Sequence, residues 1–456
     1  MSNPSNKPLL LRLAVVAFAV IGAFMAALGL RTPRASVAAR PAIIQQQRAK
    51  HSAKEILALL PTADAVRGKT VGAAIAHVRK SPEDAVRWVT LGDLLAQAQR
   101  DSADPRYYEF AEMTYLHALE VNPKSAAAMA GMAWVTGGRH AFDQSIQWAR
   151  KALALDAGNA AAVGIVGDAE VELGDYDEAF EHYQKMMDLR PDLSSWSRGA
   201  HLLWLTGEKD NAMQLMARAI QAGAPFAENT AWCRARLAMM EFQIGGTDAA
   251  AEILAPALAA SSRNIHVLLA AGRIAAARED FSAARKHYGT ILEAGPNHDS
   301  LTALGDLSAR DGDSDAAEKY YAQVEALHAA HVAGAVHDHM QMAKFYADHD
   351  RKLVDALRLA EQHKLTRNVL EADTLAWVYF KNGDLPRASE AMQRALGRKT
   401  PDAEMQFHAG VIASAMGDRA AAQQHLQQAL NDNPRFHVLL APIAAKALTQ
   451  LASATP

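Results

Sequence analysis

The sequence has a single cysteine, Cys233, so no disulfide can form within the chain. It also lacks the HExxH, GxSxG, CxxC and GxGxxG patterns, which mark zinc hydrolases, serine hydrolases, thiol pairs and dinucleotide sites. Arg234 and Arg236 are close enough in sequence to lower the pKa of the Cys233 thiol. However, no general base can be assigned, and a lone cysteine beside Trp232 on a helix is usually a packing residue. We therefore predict that the chain is not an enzyme and uses no cofactor.

Basic residues are not in excess over most of the chain. The formal net charge of the 456 residues is −3, and residues 1–54 hold eight Lys or Arg and no acid, so the rest sums to −11 (−3 minus +8). A nucleic-acid-binding protein needs a basic face. The mildly acidic body therefore argues against nucleic acid as a partner.

One long apolar run stands near the N-terminus. Residues 13–30 form 18 positions without a charge, which is close to the roughly 20 needed to cross a bilayer and longer than the roughly 7–15 of a secretory signal. We predict a short basic tail at 1–12, a single membrane anchor at 13–30 and a linker at 31–52. Cleavage as a signal peptide is the alternative, because the small residues at 36–39 suit a signal peptidase.

Two rules conflict over the side of the membrane on which the body lies. Basic residues that follow the apolar run would hold the body in the cytoplasm, whereas a short basic start such as Lys7 and Arg12 is typical of exported proteins. We favour export. The expectation is a single-pass bacterial inner-membrane protein with a periplasmic body, and the alternative is secretion into the periplasm after signal cleavage.

The most regular stretch of the chain is 160–191. Its pattern predicts a helix that ends at Gly174 and a second helix that stops before Pro191, because the residue preceding proline is disfavoured in the α region. Small residues, Gly167 and Ala179, lie where the two helices would cross. Such a unit buries only one face of each helix, so it requires neighbours of the same kind.

The spacing of Gly167, Ala179, Tyr183 and Pro191 resembles the tetratricopeptide repeat (TPR), a 34-residue helix–turn–helix. Related spacings recur, so that about ten copies fall within residues 85–434. The resemblance implies an all-α protein, a right-handed α-solenoid of about ten TPR-like repeats preceded by the N-terminal transmembrane or signal helix. We expect N-terminal capping helices at 53–84 and a C-terminal capping helix and tail at 435–456.

The repeat pattern also predicts how the array is stabilised. Each repeat of a solenoid contacts its neighbours, so we expect stability close to a sum over repeats. The turn glycines Gly174, Gly312, Gly383 and Gly417 suit helix ends that need a positive φ. An Asp after each glycine can cap the next helix.

Histidines cluster near the eighth repeat. His328 and His331 would share a helix face, and His337 and His339 begin the next helix, so the four could converge on a transition metal. No cysteine reinforces the set and the spacing matches no standard zinc pattern. A polar repeat junction with exposed imidazoles is the competing interpretation, and we predict no metal. A metal-handling or metal-sensing periplasmic protein is kept as an alternative function.

Binding is favoured over catalysis. In TPR-like arrays the first helix of each repeat lines the concave face, where ligands usually dock, and Trp, Met and Arg are enriched at interface hot spots. The predicted partner-binding residues at those positions are His201, Trp204, Trp232, Met239, Phe242, His266, Arg273, Arg310 and Trp377. Asp306 and Asp373 occupy lining positions as well. The alternative for Trp204 and Trp232 is that they fill the gap between adjacent repeats.

One TPR subset grips an acidic peptide C-terminus with Lys and Asn on its first two repeats. The equivalent positions here hold Val89, Asp93 and Ala128, so that mode of docking is not expected.

We therefore predict a non-catalytic interaction scaffold or adaptor, tethered to a membrane through residues 13–30, that binds a protein or peptide in its concave groove. An accessory subunit of an enzyme or transport complex is the remaining alternative. The sequence segments 373–377 and 433–436 resemble those of bacterial repeat proteins without an assigned activity. This resemblance supplies no function.

Overall fold

The computed structural model describes residues 52–60, 68–102, 104–224, 227–261, 263–333 and 338–453. These residues form 23 α-helices and one 3-10 helix, and no strand lies among them. The all-α prediction is confirmed. No helix in the described ranges is long and apolar enough to span a bilayer, and the predicted anchor at 13–30 lies outside them.

The helices pair into ten consecutive hairpins, numbered repeats 1–10, as the sequence predicts. Two helices, α1 (Ala53–Leu59) and α2 (Gly68–Lys80), precede the array, and α23 (Leu440–Ser453) follows it. The hairpins are α3 (Ala85–Ser102) with α4 (Arg106–Val121), α5 (Ala126–Gly138) with α6 (Phe142–Leu155), α7 (Ala160–Leu173) with α8 (Tyr176–Leu189), α9 (Leu193–Leu205) with α10 (Lys209–Ala222), α11 (Glu228–Gln243) with α12 (Thr247–Ala260), α13 (Ile265–Ala277) with α14 (Phe281–Leu292), α15 (His298–Arg310) with α16 (Ser314–Ala333), α17 (His339–Asp348) with α18 (Leu353–Ala360), α19 (Val369–Lys381) with α20 (Leu385–Leu396), and α21 (Ala403–Ala415) with α22 (Arg419–Asp432). The 3-10 helix Glu361–His363 follows α18.

Repeat 3 shows why small residues occupy the helix crossing. The Tyr183 ring of α8 packs against Gly167 of α7, and a Cβ on that glycine would lie 2.5 Å from Tyr183 Cε1. The Tyr183 hydroxyl donates to Asp168 Oδ1 at 2.8 Å. Tyr115, Tyr288 and Tyr321 pack in the same way against Gly92, Gly272 and Gly305. The predicted role of the crossing glycines is thereby confirmed, because a larger side chain would overpack the hairpin.

The turn glycines adopt the backbone that the sequence predicts, although not all the following Asp residues act as caps. Gly174 ends α7 with φ +78°, a conformation that L side chains rarely adopt. Asp384 and Asp418 accept hydrogen bonds from the first turn of the next helix, whereas Asp175 makes no such cap. It pairs with Arg367, a residue from a distant part of the chain.

That pair belongs to a line of contacts that we call the axial seam. The turn glycines of repeats 3, 4 and 5 each meet backbone of a later repeat. A Cβ on Gly174 would lie 2.2 Å from Arg367 C, one on Gly207 2.8 Å from Arg398 O, and one on Gly245 2.7 Å from Asp432 O. At these three turns, glycine is required both by its φ and by the close approach of another chain segment.

Hydrogen bonds hold the seam at each of these turns. Asn368 Nδ2 donates to Val171 O at 3.3 Å, Thr400 Oγ1 to Leu205 O at 2.6 Å, and Asn433 Nδ2 to Phe242 O at 2.7 Å. The acceptors are carbonyls at the ends of first helices, where the regular pairing within the helix stops. Val171 O and Phe242 O also accept from the N–H of the turn glycines, at 3.0 and 2.9 Å. The bonded residues are 191 to 197 positions apart, so the expectation that contacts are confined to neighbouring repeats is wrong.

Candidate functional site

A cavity of about 810 Å³ lies on the inner face of repeats 5–8, and we call it the chamber. Four first helices, α11, α13, α15 and α17, contribute most of its wall. The segment Pro434–Ala445, which connects α22 to α23 and begins that helix, forms another part. The chamber therefore combines the face predicted to bind partners with a piece of the chain's own C-terminal region.

Four of the nine predicted partner-binding residues line the chamber, namely Met239, His266, Arg273 and Arg310. Asp306, which the same register places inward, lines it as well. The Arg310 guanidinium lies 3.5 Å from the centre of the Phe281 ring, also in the wall. The chamber surface is thus a mixture of apolar side chains and charges.

Three of the predicted aromatic residues lie in the core instead. Trp204 is 3% exposed, Phe242 1% and Trp377 4%. Trp377 stacks on the His408 ring at a centroid distance of 4.2 Å. For Trp204 this placement agrees with the alternative that it fills space between repeats. None of the three side chains offers much free surface to a partner.

The C-terminal segment lies against the chamber as a stretch of turns between two helices. Arg273 Nη2 donates to Phe436 O at 3.3 Å, and Arg435 Nη1 donates to Ala277 O at 2.9 Å. His437 Nε2 lies 3.4 Å from Asp306 Oδ2. The sequence analysis missed this segment as part of the site, because it assigned residues 435–456 to a C-terminal capping helix and tail, whereas the helix begins at Leu440.

Asp306 anchors a buried polar network at one side of the chamber. Its Oδ1 accepts from the Tyr321 hydroxyl and contacts His349 Nε2, both at 2.8 Å. Burial alone would raise the pKa of Asp306, but the hydrogen bonds from His349 and His437 outweigh it and hold the pKa well below its usual value. A carboxylate that is buried and satisfied in this way ties α15, α16 and the residue that caps the C-terminal end of α17 to the C-terminal segment.

Arginines at equivalent positions of repeats 4 and 5 have different partners. Arg198 and Arg236 each precede the small crossing residue of their repeat by two positions. Arg198 meets Asp168 of repeat 3, with Nε to Oδ1 at 2.8 Å and Nη2 to Oδ2 at 2.9 Å. Burial would lower the pKa of Arg198, but the Asp168 carboxylate outweighs it and the pKa is raised.

Arg236 meets an imidazole where Arg198 meets a carboxylate. His201, the equivalent of Asp168, faces Arg236 Nη2 through its Nδ1 at 3.0 Å. Burial, with a further contribution from the Arg236 charge, lowers the pKa of His201 to about 3, so the imidazole is neutral at pH 7. Arg236 Nε is buried and has no hydrogen-bond acceptor. Burial lowers the pKa of Arg236, with no opposing contribution.

His201 and Trp232 are partly buried beside this arginine. The Arg236 guanidinium carbon lies 5.9 Å from the centre of the Trp232 ring, and Trp232 also packs against the core cluster that includes Trp204. The sequence analysis named Arg236 only as a neighbour of Cys233. Arg236 lies two residues before Ala238, just as Arg198 lies two residues before Ala200. This shared position in the repeat was the signal that could have identified Arg236.

Within the described residues, one set of three potential metal ligands has its donor atoms within 4.8 Å of one another: Asp348, Glu404 and His408. Lys344 already supplies a cation there, with Nζ 2.6 Å from Asp348 Oδ2 and 2.5 Å from Glu404 Oε1. The Coulomb interaction with these two carboxylates outweighs burial and raises the pKa of Lys344. The arrangement is therefore that of a compensated ion-pair cluster, since a metal would have to displace or repel the ammonium group.

The predicted histidine cluster is organised around a carboxylate. His328 Nδ1 lies 2.7 Å from Asp338 Oδ1, and His331 Nδ1 lies 2.8 Å from Asp338 Oδ2. His339 is partly buried at the start of α17, and His337 lies outside the described residues. The contacts of His328 and His331 attach α16 to the residue that precedes α17, which accounts for these two side chains without a metal.

Cys233 is fully buried in the core of repeats 4 and 5. Burial raises the pKa of its thiol to about 12. At neutral pH the side chain is a protonated thiol, which is a poor nucleophile. The packing interpretation of Cys233 therefore fits the structure better than a catalytic one.

Comparison with protein families finds one match. A family model described as a tetratricopeptide repeat matches residues 137–194, 266–331 and 374–415. These segments fall in repeats 2–3, 6–7 and 9–10 of the array. A comparison with curated protein sequences finds no match.

Solved structures resemble parts of the chain. A thermophilic TPR protein of Thermus thermophilus has 17% identity and a TM-score of 0.36, and the match covers 44% of this chain and 98% of that one. YrrB, a TPR protein with an unusual peptide-binding site, has 20% identity and a TM-score of 0.28, and the match covers 41% of this chain and 96% of that one. A chain of the APC/C hetero-tetramer Cut9–Hcn1 has 13% identity and a TM-score of 0.34, and the match covers 84% of this chain and 92% of that one. At these scores, none of the three carries information about what this chain binds.

Proposed function

Because this chain is a tetratricopeptide repeat protein, we propose that it is a non-catalytic scaffold that binds a protein or peptide in the chamber. The observation that carries the proposal is the chamber itself, a cavity of about 810 Å³ on the inner face of repeats 5–8. A concave, largely preformed site with a few placed polar groups is the usual form of a binding site. Its walls hold both apolar area and charged side chains for orienting a ligand.

The C-terminal segment supports a peptide as the ligand. Its residues already lie on this face as a non-helical stretch, and Arg273 donates to the backbone carbonyl of Phe436 at 3.3 Å. A side chain that donates to a main-chain carbonyl recognises polypeptide irrespective of its sequence. A partner peptide laid in the chamber would meet the same kind of donor.

Site-specific photocrosslinking tests the chamber as the docking site. A photoreactive phenylalanine analogue replaces Met239, which lines the chamber, or Val354, which is 80% exposed and lies on a second helix. We expect irradiated cells that contain the full chain to give a protein adduct from position 239 only. Ala303→Trp, which fills part of the chamber, should abolish that adduct. Equal adducts at both positions, or none at position 239, would overturn the proposal.

We further propose that residues 13–30 tether the protein to the inner membrane with its body in the periplasm. The support is the uncharged run of 18 residues behind the basic start, whose length suits a membrane span. Protease added to intact spheroplasts should digest the body of the protein, while a cytoplasmic marker survives. Protection of the body until the spheroplasts are lysed would show the opposite orientation. Release of the protein with the periplasmic fraction would show cleavage instead of tethering.

A further inference from the structure

Arg236 is a cation that the fold leaves without a carboxylate. Among the described residues, Arg236 has His201 as its hydrogen-bond partner instead of a carboxylate, and its Nε is buried without an acceptor. Placing a charge away from water is costly unless a partner compensates it. A partly buried guanidinium in a cavity wall, with no carboxylate partner and a buried Nε that lacks an acceptor, therefore requires an explanation.

The equivalent arginine one repeat earlier shows what is missing. Arg198 forms two hydrogen bonds with the Asp168 carboxylate, and the equivalent position beside Arg236 is His201. The neutral imidazole accepts one hydrogen bond but contributes no negative charge. The same position in the repeat thus forms an ion pair at the junction of repeats 3 and 4. At the junction of repeats 4 and 5, it leaves Arg236 without a carboxylate partner.

The other cations of the chamber have acidic neighbours. Lys344 lies between Asp348 and Glu404, Arg310 pairs with Asp311 at 2.7 Å, and Arg273 lies 3.8 Å from Glu404 Oε2. Arg236 is therefore the cation of the chamber wall that remains uncompensated within the described residues. A single unpaired cation favours a ligand with one negative charge at that point.

The groups around Arg236 fit a carboxylate from an extended peptide. Trp232 on its own helix provides an aromatic face at 5.9 Å, while His201 of α9 contacts Nη2, and the buried Nε has no acceptor. His266 of α13 lines the same chamber and can donate from its ring. Met239, one turn along α11, offers apolar area for the neighbouring residue of the peptide.

We propose that Arg236, positioned by His201, forms an anion subsite of the chamber that takes the carboxylate of an Asp or Glu side chain in the partner's peptide. This inference rests on the proposed function and specifies the partner as an acidic peptide. A carboxylate placed on Arg236 restores the ion pair that Arg198 makes within the fold. Arginine and carboxylate groups form strong charge-assisted hydrogen bonds in a site shielded from water.

Selection from displayed peptides tests the inference. The full chain, purified in detergent, is immobilised and exposed to phage that display random dodecapeptides through their C-terminal ends, so that only side-chain carboxylates are available. We expect the wild type to enrich peptides with Asp or Glu at a fixed position. A synthetic selected peptide should bind at least tenfold more weakly when that residue is changed to Gln or Asn, as measured by fluorescence anisotropy.

Two substitutions at one position separate charge from structure. His201→Asp copies the Asp168 partner and should occupy Arg236, so binding of the selected peptide should fall at least tenfold. His201→Asn adds no charge, so binding should fall less than in His201→Asp. The control expected to leave binding unchanged is Arg263→Gln, which removes a positive charge at a residue whose side chain is 76% exposed. Arg236→Gln should reproduce the loss if His201→Asp disturbs folding.

The possible outcomes separate this inference from the proposed function. Enriched peptides without a preferred acid, or equal binding to wild type and His201→Asp, would overturn the anion subsite and leave the chamber as a peptide site. Failure of every protein to enrich any peptide would overturn both. A larger loss of binding in His201→Asp than in His201→Asn, with no loss in Arg263→Gln, would support the subsite.

Discussion

The junction between repeats 3 and 4 and the junction between repeats 4 and 5 hold an arginine at the same register. At the first, Arg198 makes two hydrogen bonds with Asp168. At the second, Arg236 faces the neutral His201. The backbone framework is repeated, so the difference lies in one side chain. A repeat array can therefore replace a structural ion pair with a partly buried arginine that lacks a carboxylate partner by changing one residue.

The comparison extends to the repeats that line the chamber. In repeat 3, the inward carboxylate of Asp168 is used by Tyr183 and Arg198. Repeats 6 and 7 keep the same helix crossing, with Tyr288 against Gly272 and Tyr321 against Gly305, and they line the chamber. Agreement with the repeat pattern therefore does not exclude a repeat from the candidate site.

The largest effect is expected from breaking the ion pair between Arg198 and Asp168, at the junction of repeats 3 and 4. Asp168→His removes the acceptor of Arg198 and of the Tyr183 hydroxyl, and it leaves a partly buried guanidinium without a counter-charge. The free energy of unfolding should fall by about 2 kcal/mol, as measured by urea denaturation of the full chain in detergent. The matched control is Asp248→His, because the side chain of Asp248 is 90% exposed where it meets Arg278 and such pairs contribute little. Equal stability of the two variants would contradict the comparison.

The converse change should be stabilising. His201→Asp should add an ion pair at the junction of repeats 4 and 5, because the new carboxylate can pair with Arg236 as Asp168 pairs with Arg198. We expect the free energy of unfolding to rise by about 1 kcal/mol. His201→Asn, which adds no charge, serves as the control in the same denaturation experiment. A His201→Asp protein less stable than His201→Asn would show that the two junctions are not equivalent.

The smallest effect concerns pH. Burial, with the Arg236 charge, lowers the pKa of His201 to about 3, whereas an unfolded histidine has a pKa of about 6.5. Between these two pKa values, His201 binds a proton in the unfolded chain but not in the folded chain. The contribution of the neutral His201 to the free energy of unfolding is therefore fully present above about pH 6.5 and is lost as the pH falls.

His201→Asn lacks this titration. From pH 7 to 5.5, the wild type should lose about 0.5 kcal/mol more stability than the variant, since partial exposure to water weakens the effect. Denaturation at the two pH values measures it. A wild type and variant with the same pH dependence would show that His201 does not titrate abnormally.

The sequence predicted the repeat register because the register depends on local spacing. Gly167 and Tyr183 lie 16 positions apart in one hairpin, and their contact is the one that the pattern implies. The helix bounds of repeat 3, Ala160–Leu173 and Tyr176–Leu189, follow from the same spacing and its turn glycine.

The candidate site was harder to predict. An inner helix packs on its hairpin partner and on the next repeat, so an aromatic residue there can face the core. Trp204 and Phe242 do so, although their residue types suit an interface. Lys344 and Glu404 meet from different repeats, and no local pattern encodes that meeting. The axial seam was missed for the same reason, because it depends on how the whole array winds.

The axial seam has a mechanical consequence. An array joined only through neighbouring hairpins lengthens under tension by opening slightly at each junction, as a spring does. Here the hydrogen bonds of Asn368, Thr400 and Asn433 tie one turn of the chain to another, so extension must break several bonds at once. We expect the seam to stiffen repeats 3–10, so that the partner proposed above would meet a chamber whose width is already set, without the entropic cost of fixing it on binding.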